Sequence, residues 1–164
     1  MIVVATTMSD DEFPNARNLE QMFYGRYDRP LDNKGRITLP APFRDALGSE
    51  RAVITRGLDR CLFLAPAGQF ELWRQRVRAM KLADQRARSL RRHLFAEAGD
   101  GTPDAQGRIT LPPFLRHYAG IEDMVVVAGV DTHIEIWNAK RWAEMSAQAE
   151  ASGDDSAWWN EVDL

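Results

Sequence analysis

The feature that most limits how this chain can fold is a repeat within it. Residues 32–40 read Asp-Asn-Lys-Gly-Arg-Ile-Thr-Leu-Pro, and residues 104–112 read Asp-Ala-Gln-Gly-Arg-Ile-Thr-Leu-Pro. The match continues past the motif. Arg44 falls on Arg116, Gly48 on Gly120, Val53 on Val125, Gly57 on Gly129 and Asp59 on Asp131. A constant offset of about 72 positions, without a gap, implies two copies of one structural unit. Each copy spans only about 45 residues, too few to bury a sufficient core alone. The copies are therefore expected to pair about an approximate twofold axis into one intertwined β-core rather than two beads.

Local chemistry fills in the unit. Residues 24–31 read as a strand ending in a turn. At that turn Asp32 can cap backbone N–H groups and Gly35 can take a positive φ; Asp104 and Gly107 repeat the pair. The strand then continues through Arg36-Ile37-Thr38-Leu39. Pro40-Ala41-Pro42 opens a short helix over 43–47, and Gly48 ends it. Residues 52–55 and 61–64 form a hairpin around the turn 57–60; in the second copy the hairpin strands are 124–127 and 133–137.

Between the copies, Phe70, Trp73, Val77 and Met80 recur at helical spacing, and Leu90 and Leu94 continue it after a break near Ala83-Asp84. Residues 139–151 read as another helix with Trp142 and Met145 on one side. Residues 1–21 and the stretch after Glu150 lack periodicity and are expected to be flexible. The fold class is thus mainly β with helices (α+β). Its expected parts are an extension (1–21), a first repeat (26–69), a helical linker (70–97), a second repeat (98–141), and a helix end with an acidic tail (142–164).

Several function classes are set aside by what is missing. Cys61 is the only cysteine, so no intrachain disulfide forms, and its apolar neighbours make it a small buried hydrophobe. His93, His117 and His133 are scattered, with no zinc spacing, so no metal is expected. No nucleophile–base pair or Gly-rich phosphate loop stands out, so catalytic residues, cofactor and small-molecule substrate are all expected to be absent. No apolar run approaches the ~20 residues of a membrane span, and the first residues do not read as a signal peptide, which implies the cytoplasm.

The net charge of −3 weighs mildly against nucleic acid, but its distribution matters more. Glu150, Asp154, Asp155, Glu161 and Asp163 crowd a final stretch without Lys or Arg, leaving a slightly basic body. Arg26, Arg29, Lys34 and Arg36 outnumber Asp28 and Asp32 around the first loop. In Asp-x-x-Gly-Arg the Asp fixes the turn, the Gly permits a tight reversal, and the Arg leaves on the outgoing strand. A guanidinium on a stiff turn can fork onto phosphate or onto guanine O6 and N7; Lys34 adds a point charge for phosphate. The candidate DNA-contacting residues are Arg29, Lys34, Arg36, Gln106 and Arg108, and the loop-structuring residues are Asp32, Gly35, Asp104 and Gly107. A competing role for each Asp is simply to bridge its Arg across the turn. The arginines between Arg74 and Arg92 read first as a solvated helix face, with direct phosphate contact as the alternative.

Met22-Phe23-Tyr24-Gly25, the two loops in register and the closing Glu135-Ile136-Trp137 closely resemble the MraZ family over about residues 22–145. That resemblance implies two AbrB/SpoVT-type half-domains joined as a pseudo-twofold double-split β-barrel. It also implies ring-like homo-oligomers and a nucleoid-associated regulator that reads repeated double-stranded DNA sites upstream of the bacterial division and cell-wall genes. Two departures stand out. The family usually begins near the Met-Phe pair, which makes residues 1–21 an extension, and Gln106 replaces Lys34 in the second loop, so the loops should contribute unequally. The alternative, an antitoxin-like interaction protein, would usually carry one motif copy and a long partner-binding tail.

Overall fold

The computed structural model describes residues 22–152; residues 1–21 and nearly all of the stretch after Glu150, both expected to be flexible, lie outside the described residues. In chain order the elements are β1 (Phe23–Pro30), β2 (Arg36–Thr38), α1 (Ala41–Leu47), β3 (Ala52–Arg56), β4 (Leu62–Pro66), α2 (Ala67–Ala79) and α3 (Gln85–Phe95). They continue with β5 (Gly99–Asp100), β6 (Arg108–Thr110), α4 (Pro113–Ala119), β7 (Met124–Asp131), β8 (Ile134–Asn138) and α5 (Ala139–Ala151).

Local signals account for the helix ends. Proline stands in the first turn of α1 and of α4, where its missing N–H costs nothing. Gly48 and Gly120, at φ 58° and 65°, end those helices. Asp84 caps α3 by accepting from the Arg86 N–H at 2.8 Å. The Arg91 guanidinium reaches back to the last carbonyls of α2, on Val77, Arg78 and Met80. Met80 does not extend the apolar stripe as expected: the backbone leaves the helix there, and the side chain is exposed.

Strands are shared between the repeats. Six form an antiparallel sheet in the order β1-β7-β8-β4-β3-β5, and β2 and β6 pair as a separate ribbon. Ile37 lies opposite Ile109 in the ribbon, and Phe63 lies opposite Glu135 where β4 meets β8. Each is a residue paired with its own repeat equivalent, 72 positions on, which is the signature of a twofold axis passing between them. The same operation relates β1 on β7 to β5 on β3, and α2 to α5.

The repeat is not gap-free, however. Ile54 pairs with Leu64, whereas Val127 pairs with Ile136. β3 therefore corresponds to β7 at an offset of 73, while β4 corresponds to β8 at 72. The second repeat gains one residue before β7 and loses it in the following turn. Val53 is consequently half-exposed while Val125 is fully buried, because a one-residue slip turns a strand over.

One core serves both halves. Ile37, Leu39, Phe43 and Leu47 pack with their equivalents Ile109, Leu111, Leu115 and Ala119, enclosed by Ile54, Leu62, Leu64, Val125, Val127, Ile134 and Ile136 of the sheet. On the sheet's other face, Trp142 and Met145 of α5 cover Cys61, Val126, Ala128 and Trp137. Burial pushes the Cys61 thiol pKa well up, which makes it an inert hydrophobe. Also on that face, Phe63 and Trp73 flank His133, with ring centroids 4.4 and 5.0 Å away.

Two measurements check this packing. Ile37→Ala should cost about 2–4 kcal/mol, and urea unfolding of the variant should remain a single transition; two separated transitions would mean the halves fold independently. Burial lowers the His133 pKa from 6.5 to about 4, so folding favours the neutral ring. Its contribution is full above pH 6.5 and is lost as the pH falls towards 4. Partial solvation limits the effect to at most about 2 kcal/mol. His133→Phe should flatten the stability profile across that window, read by thermal unfolding.

Candidate nucleic-acid interface

The two loops are built alike, bond for bond. The Asp32 carboxylate accepts from the backbone N–H groups of Lys34 and Arg36, both at 2.9 Å, and from Arg36 Nε at 2.8 Å. Asp104 accepts from the N–H groups of Gln106 and Arg108 and from Arg108 Nε, all at 2.9 Å. Backbone bonds from Asp32 N to Arg36 O and from Gly35 N to Asp32 O close the first turn, and the second repeats them. Gly35 and Gly107 sit at φ 74° and 76°, conformations that a side chain would strain. Bonds from the Arg36 and Arg108 backbone N–H groups are the main reason both aspartates stay below the usual carboxylate pKa. The bridging role and the display of an arginine thus coexist: each Asp holds the guanidinium of its Arg through Nε alone.

Strand alternation sets where the arginines point. Ile37 and Ile109 face the core, so their neighbours face the opposite way. Arg36 lies opposite Thr110, and Thr38 opposite Arg108. The ribbon's outer face therefore displays two arginines and two exposed threonines around the twofold axis. Thr38 and Thr110 went unnoticed in the sequence, although their spacing of two from each Arg was signal enough.

Lys34 and Gln106 occupy equivalent exposed positions at the tips, but they behave differently. Gln106 accepts from Arg108 Nη2 at 3.2 Å, while Lys34 carries the extra charge. Nη1 and Nη2 of Arg36 make no hydrogen bond among the described residues. Arg29 lies on β1 rather than on the ribbon, its guanidinium 5.6 Å above the Tyr27 ring and donating to the Asp28 carbonyl.

The loops are also braced across the axis. Leu39 N donates to Gly107 O, and Leu111 N to Gly35 O, each at 2.8 Å. Arg116 of α4 covers Gly35 so closely that a Cβ there would stand 3.1 Å from its Cζ, and its Nε donates to Leu111 O at 3.0 Å. Arg44 of α1 covers Gly107 in the same manner, and a Cβ on Gly107 would overlap it. The sequence shows Arg44 and Arg116 only as matched positions; their contact runs between repeats and cannot be read locally.

The basic helices are partly committed elsewhere. Arg74 pairs with Glu71 at 2.7 Å, and Arg88 and Arg91 bond main-chain carbonyls. Among the described residues, no group of His, Cys, Asp and Glu could hold a metal ion, and no helix is long and apolar enough to cross a membrane.

The family model described as "MraZ protein, putative antitoxin-like" matches residues 22–93 and 94–157, one match per repeat. The chain is 44% identical over 131 residues to the "Transcriptional regulator MraZ" of Roseiflexus castenholzii, covering 80% of this chain and 91% of that protein. It is 43% identical to the protein of that name from Thermomicrobium roseum, over 83% of this chain and 95% of the relative. Identity to the one from Syntrophomonas wolfei is 41%, over 87% and 99%.

Removing the turn cap should loosen the loops without unfolding the core. Asp32→Ala should cost about 1 kcal/mol of stability. Gly107→Ala should cost about 1–3 kcal/mol because its φ is forced and Arg44 must move. Thermal unfolding reads both. A Gly107→Ala protein as stable as the parent would mean that the loop tolerates another conformation.

Proposed function

The chain belongs to the MraZ family, and on that footing we propose that it is a DNA-binding transcriptional regulator, not an enzyme, which reads double-stranded DNA through the outer face of the β2–β6 ribbon. The observation carrying this reading is the pair of Asp-held arginines on one face of the ribbon. Arg36 and Arg108 are the base or phosphate forks, Lys34 a phosphate contact, and Gln106 a weaker polar contact already engaged with Arg108. Arg29 flanks this surface from β1. Asp32, Gly35, Asp104 and Gly107 hold the loops in shape.

One ribbon offers few contacts, and phosphate neutralisation dominates DNA affinity. A ring-like homo-oligomer would present several ribbons to repeated upstream sites and gain avidity without new chemistry. We take the site of action to be the cytoplasm, on the nucleoid. The targets are then the division and cell-wall genes, and the sense of control is repression. The family model's wording favours one other reading, an antitoxin-like DNA-binding protein with a protein partner.

Anisotropy titration on DNA from upstream of the chain's own gene tests the proposal. Arg36→Ala and Arg108→Ala should each weaken specific binding by ~1–3 kcal/mol per engaged loop. Lys34→Ala should weaken binding to all sequences alike and lower the salt slope by about 1. If both arginine variants bind as tightly as the parent, the DNA surface lies elsewhere. Sedimentation showing only monomer at micromolar concentration would remove the ring, and a stoichiometric second protein co-purifying from cells would favour the antitoxin-like reading.

A further inference from the structure

The helical hairpin α2–α3, between the repeats, concentrates charge that the ribbon does not use. Residues 72–95 hold eight Lys or Arg and a single carboxylate, Asp84, in a chain whose net charge is −3. Three of the eight serve the fold. Arg74 pairs with Glu71, Arg88 donates to the carbonyls of Leu82 and Ala83, and Arg91 closes the end of α2. Arg76, Arg78, Lys81, Arg86 and Arg92 are exposed, and their side chains make no hydrogen bond or ion pair among the described residues. Asp84 is engaged as the cap of α3. Like charges crowded on one hairpin repel one another, so these five lower its stability rather than add to it.

The internal repeat shows that packing does not call for them. α2 and α5 are equivalent from end to end, Ala67–Ala79 against Ala139–Ala151, and both lie on the sheet face turned away from the ribbon. Arg74, Arg76 and Arg78 fall on Ser146, Gln148 and Glu150. The second repeat therefore builds the same helix without these cations.

Position separates the hairpin from the ribbon. Ile54, Leu62 and Leu64 face the core that holds Ile37 and Ile109. Thr55 and Phe63, at alternate positions, face the other way. Phe63 meets Trp73 of α2 with ring centroids 5.6 Å apart, and Thr55 Oγ1 donates to the Leu94 carbonyl of α3 at 2.6 Å. Sheet and core thus stand between the two surfaces, and a straight duplex lying on one protomer's ribbon is out of reach of its hairpin.

A nucleic-acid backbone and an anionic bilayer both attract cations, and the apolar side chains decide between them. A bilayer takes up an apolar face together with the charge. Here Val77, Ala87 and Leu94 are buried beneath the hairpin, and Met80 and Leu82 alone stay exposed at the link between its helices. The free cations reach further, from Arg76 in α2 to Arg92 in the second half of α3. Phosphates need only charge along their path. We propose that the α2–α3 hairpin is a second, sequence-independent DNA surface, with its free cations set against phosphates, so that one protomer can hold two duplex segments on opposite sides of its sheet. This surface does not require the ribbon to be the specific reader.

The full chain carrying Lys34→Ala, Arg36→Ala and Arg108→Ala tests it, by anisotropy on a labelled duplex of unrelated sequence at low salt. That protein should still bind. Adding Arg76→Gln, Lys81→Gln and Arg86→Gln should weaken the remaining binding at least about tenfold and lower its salt slope by about 3, with thermal unfolding unchanged. With the ribbon intact, protein held on immobilised upstream DNA should capture the labelled duplex, and the three hairpin changes should abolish that capture. Absence of binding in the ribbon-substituted chain overturns the proposal, as does binding or capture indifferent to the hairpin changes. Hairpin-dependent binding to vesicles of mixed phosphatidylcholine and phosphatidylglycerol, with none to the duplex, would assign the surface to a bilayer and overturn it too. Failure of the ribbon reading shows separately, as unchanged affinity of the Arg36→Ala and Arg108→Ala proteins for the upstream DNA.

Discussion

Leu39 donates its N–H to Gly107, and Leu111 donates its own to Gly35, and these two exchanged bonds fix the relation on which the molecule depends. Each repeat leaves backbone groups at its loop that only the other repeat can satisfy, and a buried orphan of that kind is costly. Satisfying both at once forces Ile37 against Ile109 and sets the axis. The sheet then has to follow the same operation, with β1 completing the other half's hairpin and β4 meeting β8 at the axis. The fold is therefore not two domains that happen to touch. Its smallest closed unit is the pair.

The same exchange explains how an exposed loop can be stiff. A surface turn normally pays for its freedom with poor definition of its side chains. Here each turn is held from within by an Asp accepting three hydrogen bonds, and from across the axis by a strand N–H and an arginine lying over its glycine. Little conformational entropy remains to be lost when the guanidinium meets a partner. A net negative chain can thus keep arginines displayed in a fixed geometry, which rests on placement rather than on total charge.

Much of this was legible in the sequence because it is local. The Asp-Gly turns, the proline openings, the break before α3 and the limits of α5 follow from residue chemistry within a few positions. Three things were not. The one-residue shift between β3 and β7 escaped notice because Val53 and Val125 are the same residue type, and identity does not record which face a strand turns inward. Arg44 and Arg116 were visible only as a matched pair, since packing a helix arginine on the opposite repeat's glycine is a contact across 63 positions of sequence for Arg44 on Gly107 and 81 for Arg116 on Gly35. Met80 was misplaced for a simpler reason: periodicity cannot see the extended backbone that ends α2 at that residue.

Duplication within one chain also permits what a symmetric dimer forbids. In a homodimer the two loops would carry identical residues. In this chain Lys34 and Gln106 differ while the carboxylate cradles beside them agree to within 0.1 Å in every bond. The supports differ as well. Arg116 donates its Nε to Leu111, whereas the Nε of Arg44 is buried without a partner among the described residues. The second arginine is further drawn to its own loop by Gln106. Geometry is thus held common by the shared core, and chemistry is free to diverge at the tips, so the ribbon is a twofold frame carrying two unequal loops.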